Sequence, residues 1–359
     1  MSLAPARFHP LPIVACAPEG EDALSVGFAI PESLRAGFGF LPGQHLTLRA
    51  MIDGVEQRRS YSICSGPGEA LLRIGIRCLP GGAFSSHARA TWRVGQCVDV
   101  MPPAGRFVFT PDPAATGRYL AIAAGSGITP VLAILKAALA AEPGSRFTLL
   151  YGNRSLASTM FRQELADLKD RYLDRLSLFL LFSREAQDVA GLNGRLDAPT
   201  LQRLLPVARA GGAIGRAYLC GPSAMIETAR AVLRDSGLAE RAILSERFTA
   251  SGIPPTPPRA AAVAETPAAH ATLITQGVRR EVPVLAGESL IDAALRAGIE
   301  VPYACRGGMC CTCRARLLEG EVQMAVNYSL EPWEIAAGYV LTCQSRPSSA
   351  RVVVDYDQV

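Results

Sequence analysis

The chain has no long apolar run. Its longest, residues 119–124 and 131–141, are short or interrupted by Lys136, and a membrane-spanning helix requires roughly 18. An excess of one charge is also missing: 36 basic residues stand against 32 acidic ones, a net +4 with no block of like sign. No nucleic acid and no anionic membrane surface is therefore expected as partner, while small or acidic partners stay open. The opening MSLAPARFHPLPIVAC lacks a basic start followed by an apolar stretch, so no secretion signal and a cytoplasmic setting are expected. Histidine is scarce, four in all, and no internal repeat is seen.

Cysteine is what the chain does have, ten residues in 359. In a reducing compartment these read as metal ligands more readily than as disulfides. Cys305, Cys310, Cys313 and Cys343 are separated by four, two and twenty-nine residues, the plant-type ligand spacing for a 2Fe-2S cluster. Zinc also accepts four thiolates, but zinc sites usually arrive as two short knuckles, and here there is one two-residue spacing. Gly307 and Gly308 lie between the first ligands, where missing side chains let backbone N–H groups approach the sulfurs. Cys311, like Cys16, Cys64, Cys78, Cys97 and Cys220, breaks the spacing and reads as a small packed residue. No histidine pair lies close enough to replace two of the cysteines in the Rieske manner. His87 is the histidine nearest a proposed site, with a packing or surface role. A cluster of this kind moves single electrons and does no bond chemistry alone, so the remaining residues should supply and pair those electrons.

The length suggests three domains. Residues 1–110 read as short strands at 45–50, 58–64, 71–78 and 97–101 between Gly and Pro clusters, an antiparallel β-barrel pattern. Residues 111–250 alternate strand and helix, with strands at 119–124, 147–152, 176–182, 216–220 and 242–246. Val131, Leu132, Leu135, Ala138 and Leu139 share one helix face between the first two. A parallel sheet flanked by helices follows, an α/β domain. Residues 251–269 hold five prolines and many alanines and read as a semi-extended linker. Residues 270–359 give a hairpin at 271–276 and 279–284, a helix at 289–297, the cysteine-rich loop and a last strand at 352–356, a small mixed α+β fold.

Two places suit nucleotides. Arg59-Ser60-Tyr61-Ser62 ends a strand and offers a guanidinium for phosphate, hydroxyls for a ring edge and an aromatic face. Gly82 with Ser85 and Ser86 follows as a turn able to cradle a pyrophosphate. Gly125 and Gly127, with Thr129 after them, join a strand to a helix N-terminus, without the third glycine of a full dinucleotide fingerprint. Cys220-Gly221 ends another strand on the same crevice. Ser183-Arg184 ends a third, where a ribose 2′-phosphate could be held or the arginine simply solvated.

Taken in order, RRSYS, GSGITP, YLCGP and SERF resemble the ferredoxin-NADP reductase superfamily across residues 1–250. The resemblance implies FAD, with Arg59 toward its pyrophosphate, Tyr61 and Ser62 beside the isoalloxazine, and Ser85 and Ser86 capping the diphosphate. It implies Thr129 beside flavin and nicotinamide, Glu246 and Phe248 closing the far side of the ring, and Cys220 and Gly221 at the nicotinamide ribose. Ser183 and Arg184 resemble the grip of the NADPH-using members. Residues 270–359 resemble a plant-type ferredoxin, a β-grasp fold, with Met309 and Cys311 departing at positions that are not ligands. Reductase first and ferredoxin last is the order of the oxygenase reductases, whose partner is the oxygenase component of a multicomponent monooxygenase. VPYACRGGMCCTCRARLLEGEV, NYSLEPWEIAAGYVLTCQ and VVVDY resemble the reductase family serving the di-iron oxygenases of phenylacetyl-CoA epoxidation. Reductases of Rieske dioxygenases and steroid hydroxylases share the layout, some with FMN in place of FAD.

Overall fold

The computed structural model describes residues 7–248 and 267–358. Most of the segment read as a linker, 251–269, lies outside them. The chain divides into two compact units, the larger comprising residues 9–57 and 61–248 and the smaller built on the C-terminal region.

The larger unit begins with six antiparallel strands: β1 (His9–Glu19), β2 (Ala23–Phe28), β3 (His45–Ile52), β4 (Val55–Ser62), β5 (Leu72–Arg77) and β6 (Cys97–Val100), with α1 (Ala83–Thr91) before the last. Their order is β4-β3-β6-β1-β2-β5, and an Ile63–Ile74 bridge joins the two edges into a barrel. The strand pattern in the sequence anticipates β3 to β6 but not β1, whose Pro10, Pro12 and Pro18 disguise it. The structure shows how prolines are tolerated there. Residues 9–12 pair only with β6, and the pairing with β2 starts at Ile13 across a register irregularity. Pro10 and Pro12 thus lie in a stretch laddered on one side, where a missing N–H costs no sheet hydrogen bond.

The parallel sheet follows as β7 (Arg118–Ala124), β8 (Arg146–Asn153), β9 (Leu176–Phe182), β10 (Arg216–Gly221) and β11 (Ile243–Arg247), in the order β11-β10-β7-β8-β9. Its helices are α2 (Ile128–Ala141), α3 (Arg162–Arg171), α4 (Ala198–Ala208) and α5 (Ser223–Asp235). The sequence assigns α2 one apolar face, yet every residue from 128 to 139 is buried. The helix packs in one core with Tyr151 and Phe147 of the sheet and with Cys64, Phe107 and Phe109 from the barrel side, and a helix covered on all sides is apolar on all sides. Its one charge, Lys136, is 9% exposed and bonds Glu69 at 2.7 Å, Glu164, and the Cys64 carbonyl at 3.2 Å. Arg73 of β5 completes this group at 2.6 Å from Glu164, so each buried charge has an opposite partner.

The smaller unit contains β12 (Ala269–Thr275), β13 (Val278–Val284), α6 (Leu290–Arg296), β14 (Arg314–Glu319), β15 (Val322–Met324), α7 (Pro332–Ala336), β16 (Tyr339–Leu341), β17 (Ser345–Pro347) and β18 (Arg351–Asp355). Five strands form a mixed sheet, β13-β12-β18-β14-β16, in which β12 and β18 run parallel. Leu290, Ile291, Ala293 and Ala294 of α6 pack on it, and a Ser289–Asp292 capping box starts that helix. The hairpin, the helix and the last strand are those expected from the sequence.

Candidate functional site

A parallel sheet binds ligands at the carboxyl ends of its strands, and here two of those ends touch. A Cβ on Gly127 would overlap the Cys220 carbonyl and come within 3.0 Å of the Gly221 nitrogen. The turn after β7 thus lies against the end of β10 with no room for a side chain. Gly221 has φ +156°, and Gly125 has φ +54°, which favours glycine. The Gly125 carbonyl accepts from the buried Tyr151 hydroxyl at 2.9 Å. Thr129 is 1% exposed; its hydroxyl donates to the Ser126 carbonyl at 2.9 Å, and its methyl faces Gly75 of β5. It shapes the turn.

Glu246 on β11 is in register with Cys220 on β10. Ser62, at the end of β4, donates to Glu246 Oε2 at 3.1 Å, and His45 Nδ1 lies 3.9 Å from Oε1. Burial pushes the Glu246 carboxyl from its ordinary 4.5 up to about 8, the Ser62 hydroxyl opposing, although 15% of the side chain stays exposed. Burial lowers His45 to about 4 and raises Cys220 well above the thiol range, with Glu246 adding to the latter. Near neutral pH this is a group of largely uncharged acids and bases, shielded from most of the solvent. A raised carboxyl gives stability that is complete below about 4.5 and lost as pH climbs toward 8, because the unfolded chain gives up its proton first. Compared with Glu246→Gln, the native protein is therefore expected to lose up to a few kcal/mol between pH 5 and pH 8, read as the difference in urea midpoints.

Sequence reading singles out His87 and misses His45. His45 is 3% exposed, starts β3, and pairs with Ala104; a Cβ on Gly105 would come within 2.8 Å of its ring. Its place beside Glu246 comes from the start of β3 lying against β11 of the parallel sheet, which no local pattern reports. Phe248, the last described residue of this unit, is 38% exposed.

On the barrel, Tyr61 is half-buried and lies 5.9 Å from the Phe84 ring, itself edge-on to Trp92. Arg59 and Ser60 precede it on β4, Arg59 exposed. Gly82 begins α1 with no side-chain cap, so the first N–H groups of the helix are not taken by its own residues. Ser85 is buried, accepting from the Leu79 N–H and donating to the Gly82 carbonyl, whereas Ser86 is exposed.

Ser183 and Arg184 follow β9, both exposed, with their N–H groups on the carbonyls of Asn153 and Arg154. Three strand spacings separate β10 from β9, about 14 Å, so Cys220-Gly221 and Ser183-Arg184 stand at the two ends of one sheet edge. Between them lies a group absent from the sequence reading. Asp22, from the β1–β2 turn, accepts from Arg77 at 3.1 Å and from Arg154, and the Arg77 guanidinium covers the space where a Gly125 side chain would be. Its members are far apart in the chain, and only the fold joins them.

In the smaller unit the four cysteines form two couples. Cys310 donates to Cys305, and with N–H groups of Gly307, Met309 and Cys310 this draws the Cys305 thiol down to about 5. Cys313 bonds Cys343, which is lowered likewise, with Gly308 N–H and the Gln344 amide also toward its sulfur. Gly307 N–H lies 3.4 Å from Cys305 Sγ and Gln344 Nε2 lies 3.6 Å from Cys343 Sγ. No group of three or more His, Cys, Asp or Glu among the described residues gathers as for a single ion. Two couples with donors aimed at their sulfurs suit two irons, each taking two thiolates. The loop is shaped by positive φ at Arg306, Gly308 and Cys311, and by Gln344 donating to the Arg306 carbonyl at 2.8 Å. Arg306 pairs with Asp292, and Arg314 lies 3.1 Å from the fully buried Glu334, so neither is a solvated charge.

The family described as "Oxidoreductase FAD-binding domain" matches residues 13–109, "Oxidoreductase NAD-binding domain" residues 121–231, and "2Fe-2S iron-sulfur cluster binding domain" residues 273–348. The chain is 46% identical over 353 residues, 98% of each chain, to a subunit of the 1,2-phenylacetyl-CoA epoxidase of Escherichia coli. It is 34% identical, over 96% of each chain, to the ferredoxin reductase component of a 3-ketosteroid-9-alpha-monooxygenase from Rhodococcus rhodochrous. Phthalate dioxygenase reductase has the same fold, TM-score 0.56 at 24% identity over 97% of this chain and 98% of that one. So does part of an intact type IV self-sufficient cytochrome P450 monooxygenase, TM-score 0.68 at 21% identity over 97% of this chain and 41% of that one.

Proposed function

The chain belongs to the family of oxygenase reductases that includes this component of 1,2-phenylacetyl-CoA epoxidase, with FAD-binding, NAD-binding and 2Fe-2S domains, and from that premise we propose that it carries electrons from NADPH to the di-iron oxygenase that epoxidises phenylacetyl-CoA. The observation that carries this reading is the near full-length identity to the epoxidase component, well above the identity to the ketosteroid reductase. The two couples of cysteines and the touching strand ends supply its physical basis.

The domains are assigned as residues 1–110 for FAD, 111–250 for the dinucleotide and 270–359 for the cluster, joined by 251–269. When bound, the flavin would accept a hydride, an electron pair, from the nicotinamide, and the cluster would pass electrons on one at a time. The residues do the rest by position. Arg59 and Ser60 hold the flavin pyrophosphate with the open turn at Gly82, Ser85 and Ser86, where unsatisfied helix N–H groups favour an anion. Tyr61 lies along the ring. Ser62 and Glu246 would border its polar edge, Glu246 keeping its proton near neutral pH and so able to donate, and Phe248 would help close the far side of the ring. Gly125, Gly127, Cys220 and Gly221 keep the crevice floor free of side chains so that the nicotinamide can approach at reacting distance, and Thr129 fixes that floor. Cys305, Cys310, Cys313 and Cys343 hold the cluster. A cytoplasmic setting accords with a cysteine-rich chain in which four cysteines are spaced as metal ligands.

Flavin and cluster bands in the visible spectrum of the purified protein, bleached by NADPH, are the expected result; bound zinc with no bleaching would refute the reading. Ser183 and Arg184 are assigned to the 2′-phosphate. Arg184→Ala is expected to raise the Michaelis constant for NADPH by about tenfold or more, the loss of one charge-assisted contact, and to leave that for NADH within about twofold. Equal changes for both would remove the assignment.

A further inference from the structure

The short helix α7 is built inside out. Its one charged side chain, Glu334, is fully buried: Oε1 faces Arg314 Nε at 3.1 Å and Oε2 accepts from the Glu331 N–H at 2.9 Å. Arg314 is itself folded over the Tyr339 ring at 3.7 Å. Turning the carboxylate inward leaves Pro332, Trp333, Ile335, Ala336 and Ala337 on the outside, with Trp333 59% and Ile335 46% exposed. Leu318, 42% exposed, follows Leu317 on β14, and the Leu317 N–H bonds the Gly338 carbonyl just beyond α7. An apolar cluster on a soluble surface marks a contact site more often than chance exposure.

The patch is tied to the cysteine loop. The Tyr328 N–H and the Ser329 hydroxyl, just before α7, both donate to the Gly308 carbonyl, at 3.1 and 3.2 Å. Gly308 lies between the first two ligands, and its own N–H points to Cys343. A protein seated on α7 is therefore seated beside the cluster. Arg306 and Arg314 are neutralised by Asp292 and Glu334, so the two arginines nearest the cysteine loop add no net charge, and apolar contact is what the exposed side chains of α7 offer.

Its area decides between occupants. A tryptophan presents at most about 250 Å², so the whole patch is on the order of 400 Å². A stable pair of subunits needs about 800 Å² from each side, whereas brief electron-transfer encounters lie at the low end of the size range. We propose that the outward face of α7, centred on Trp333 and Ile335, is where the electron-accepting oxygenase component docks, through apolar contact and for short residence. The inference rests on the reading above that electrons leave through the cysteine loop.

The test uses the full-length, cofactor-loaded chain with Trp333→Ser and, separately, Ile335→Lys. Both positions are exposed, so neither change should unfold the protein. Each is expected to weaken binding to the phenylacetyl-CoA oxygenase component, measured by calorimetric titration, by about tenfold or more, as loss of an aromatic or aliphatic anchor does, and to raise the apparent Michaelis constant for that component alike. NADPH–ferricyanide turnover and NADPH-driven bleaching of the cluster band should be unchanged. Unaltered binding in both variants overturns the proposal. Slower bleaching with unaltered binding also overturns it, assigning the face to the chain's own flavin domain. Loss of a dimer in sedimentation would assign it to a second copy and overturn it too. A native protein that binds the oxygenase but supports no turnover counts against the proposed function and not against the docking face.

Discussion

Cys343→Ser leaves NADPH–ferricyanide activity within about twofold of native, and cuts electron delivery to an oxygenase by about a thousandfold or more. The first half follows from separation: Cys343 belongs to the smaller unit, whereas the glycine floor, Ser62 and Glu246 belong to the larger one. The second half follows from the pairing of sulfurs. Cys343 shares its position with Cys313 and receives donors from Gly308 and Gln344; a serine keeps the donors but removes the soft thiolate that iron prefers. One iron would then have a single protein ligand. Iron analysis and the visible spectrum check the loss directly, and an oxygenase assay checks its consequence. Normal delivery by the serine variant would mean that electrons leave by another route. Cys311→Ser is the matched control, since Cys311 is the cysteine of the loop outside the two couples.

Gly127→Ala is expected to be the most damaging single methyl where β7 meets β10. The added carbon would occupy the Cys220 carbonyl, and neither neighbour can yield. Cys220 is laddered on both sides, to Ala123 of β7 and Glu246 of β11, so moving it drags the sheet edge and the carboxyl held by Ser62. Overpacking of this kind costs about 1–3 kcal/mol or more, and displacing reacting groups by about 1 Å costs on the order of a hundredfold in rate. Stopped-flow reduction by NADPH should show that fall, with a lower melting temperature. Gly125→Ala gives the contrast. A methyl there meets only the Arg77 guanidinium, the end of a flexible side chain, so its penalty is the φ of +54°, about 1–2 kcal/mol. If Gly125→Ala proved the worse of the two, the contact of β7 with β10 would not be what organises the crevice.

Much of the molecule is legible in the sequence because its chemistry is carried by short local patterns. The cysteine spacing reports two couples since a loop of that length can fold back on itself, and the glycines after β7 report a turn because only they fit. The rest depends on contacts between distant segments. β1 is hidden because proline argues against a strand until its one-sided pairing is seen. The all-round burial of α2 requires knowing that the barrel covers it, and Lys136 looks like a break in an apolar run until Glu69 and Glu164 arrive from elsewhere. His45, Asp22, Arg77 and Arg154 belong to no motif; each acquires its place from the turn or strand facing it. Arg306 and Arg314 look like free basic charge because Asp292 and Glu334 are remote or, for Glu334, hidden in an apolar helix.

Ser62 and Glu246 are 184 positions apart in the chain, and that distance sets an order of events during synthesis. The barrel can close once β6 has emerged to pair with β1, and four strands of the parallel sheet can assemble while the ribosome is still producing the fifth. The carboxyl that meets Ser62 comes only with β11, at an outer edge of its sheet. A chain halted just before it would hold most of its core and the touching strand ends at Gly127 and Cys220, but not the carboxyl that Ser62 meets. The carboxyl that faces Ser62 is thus the last part of this candidate site to be made.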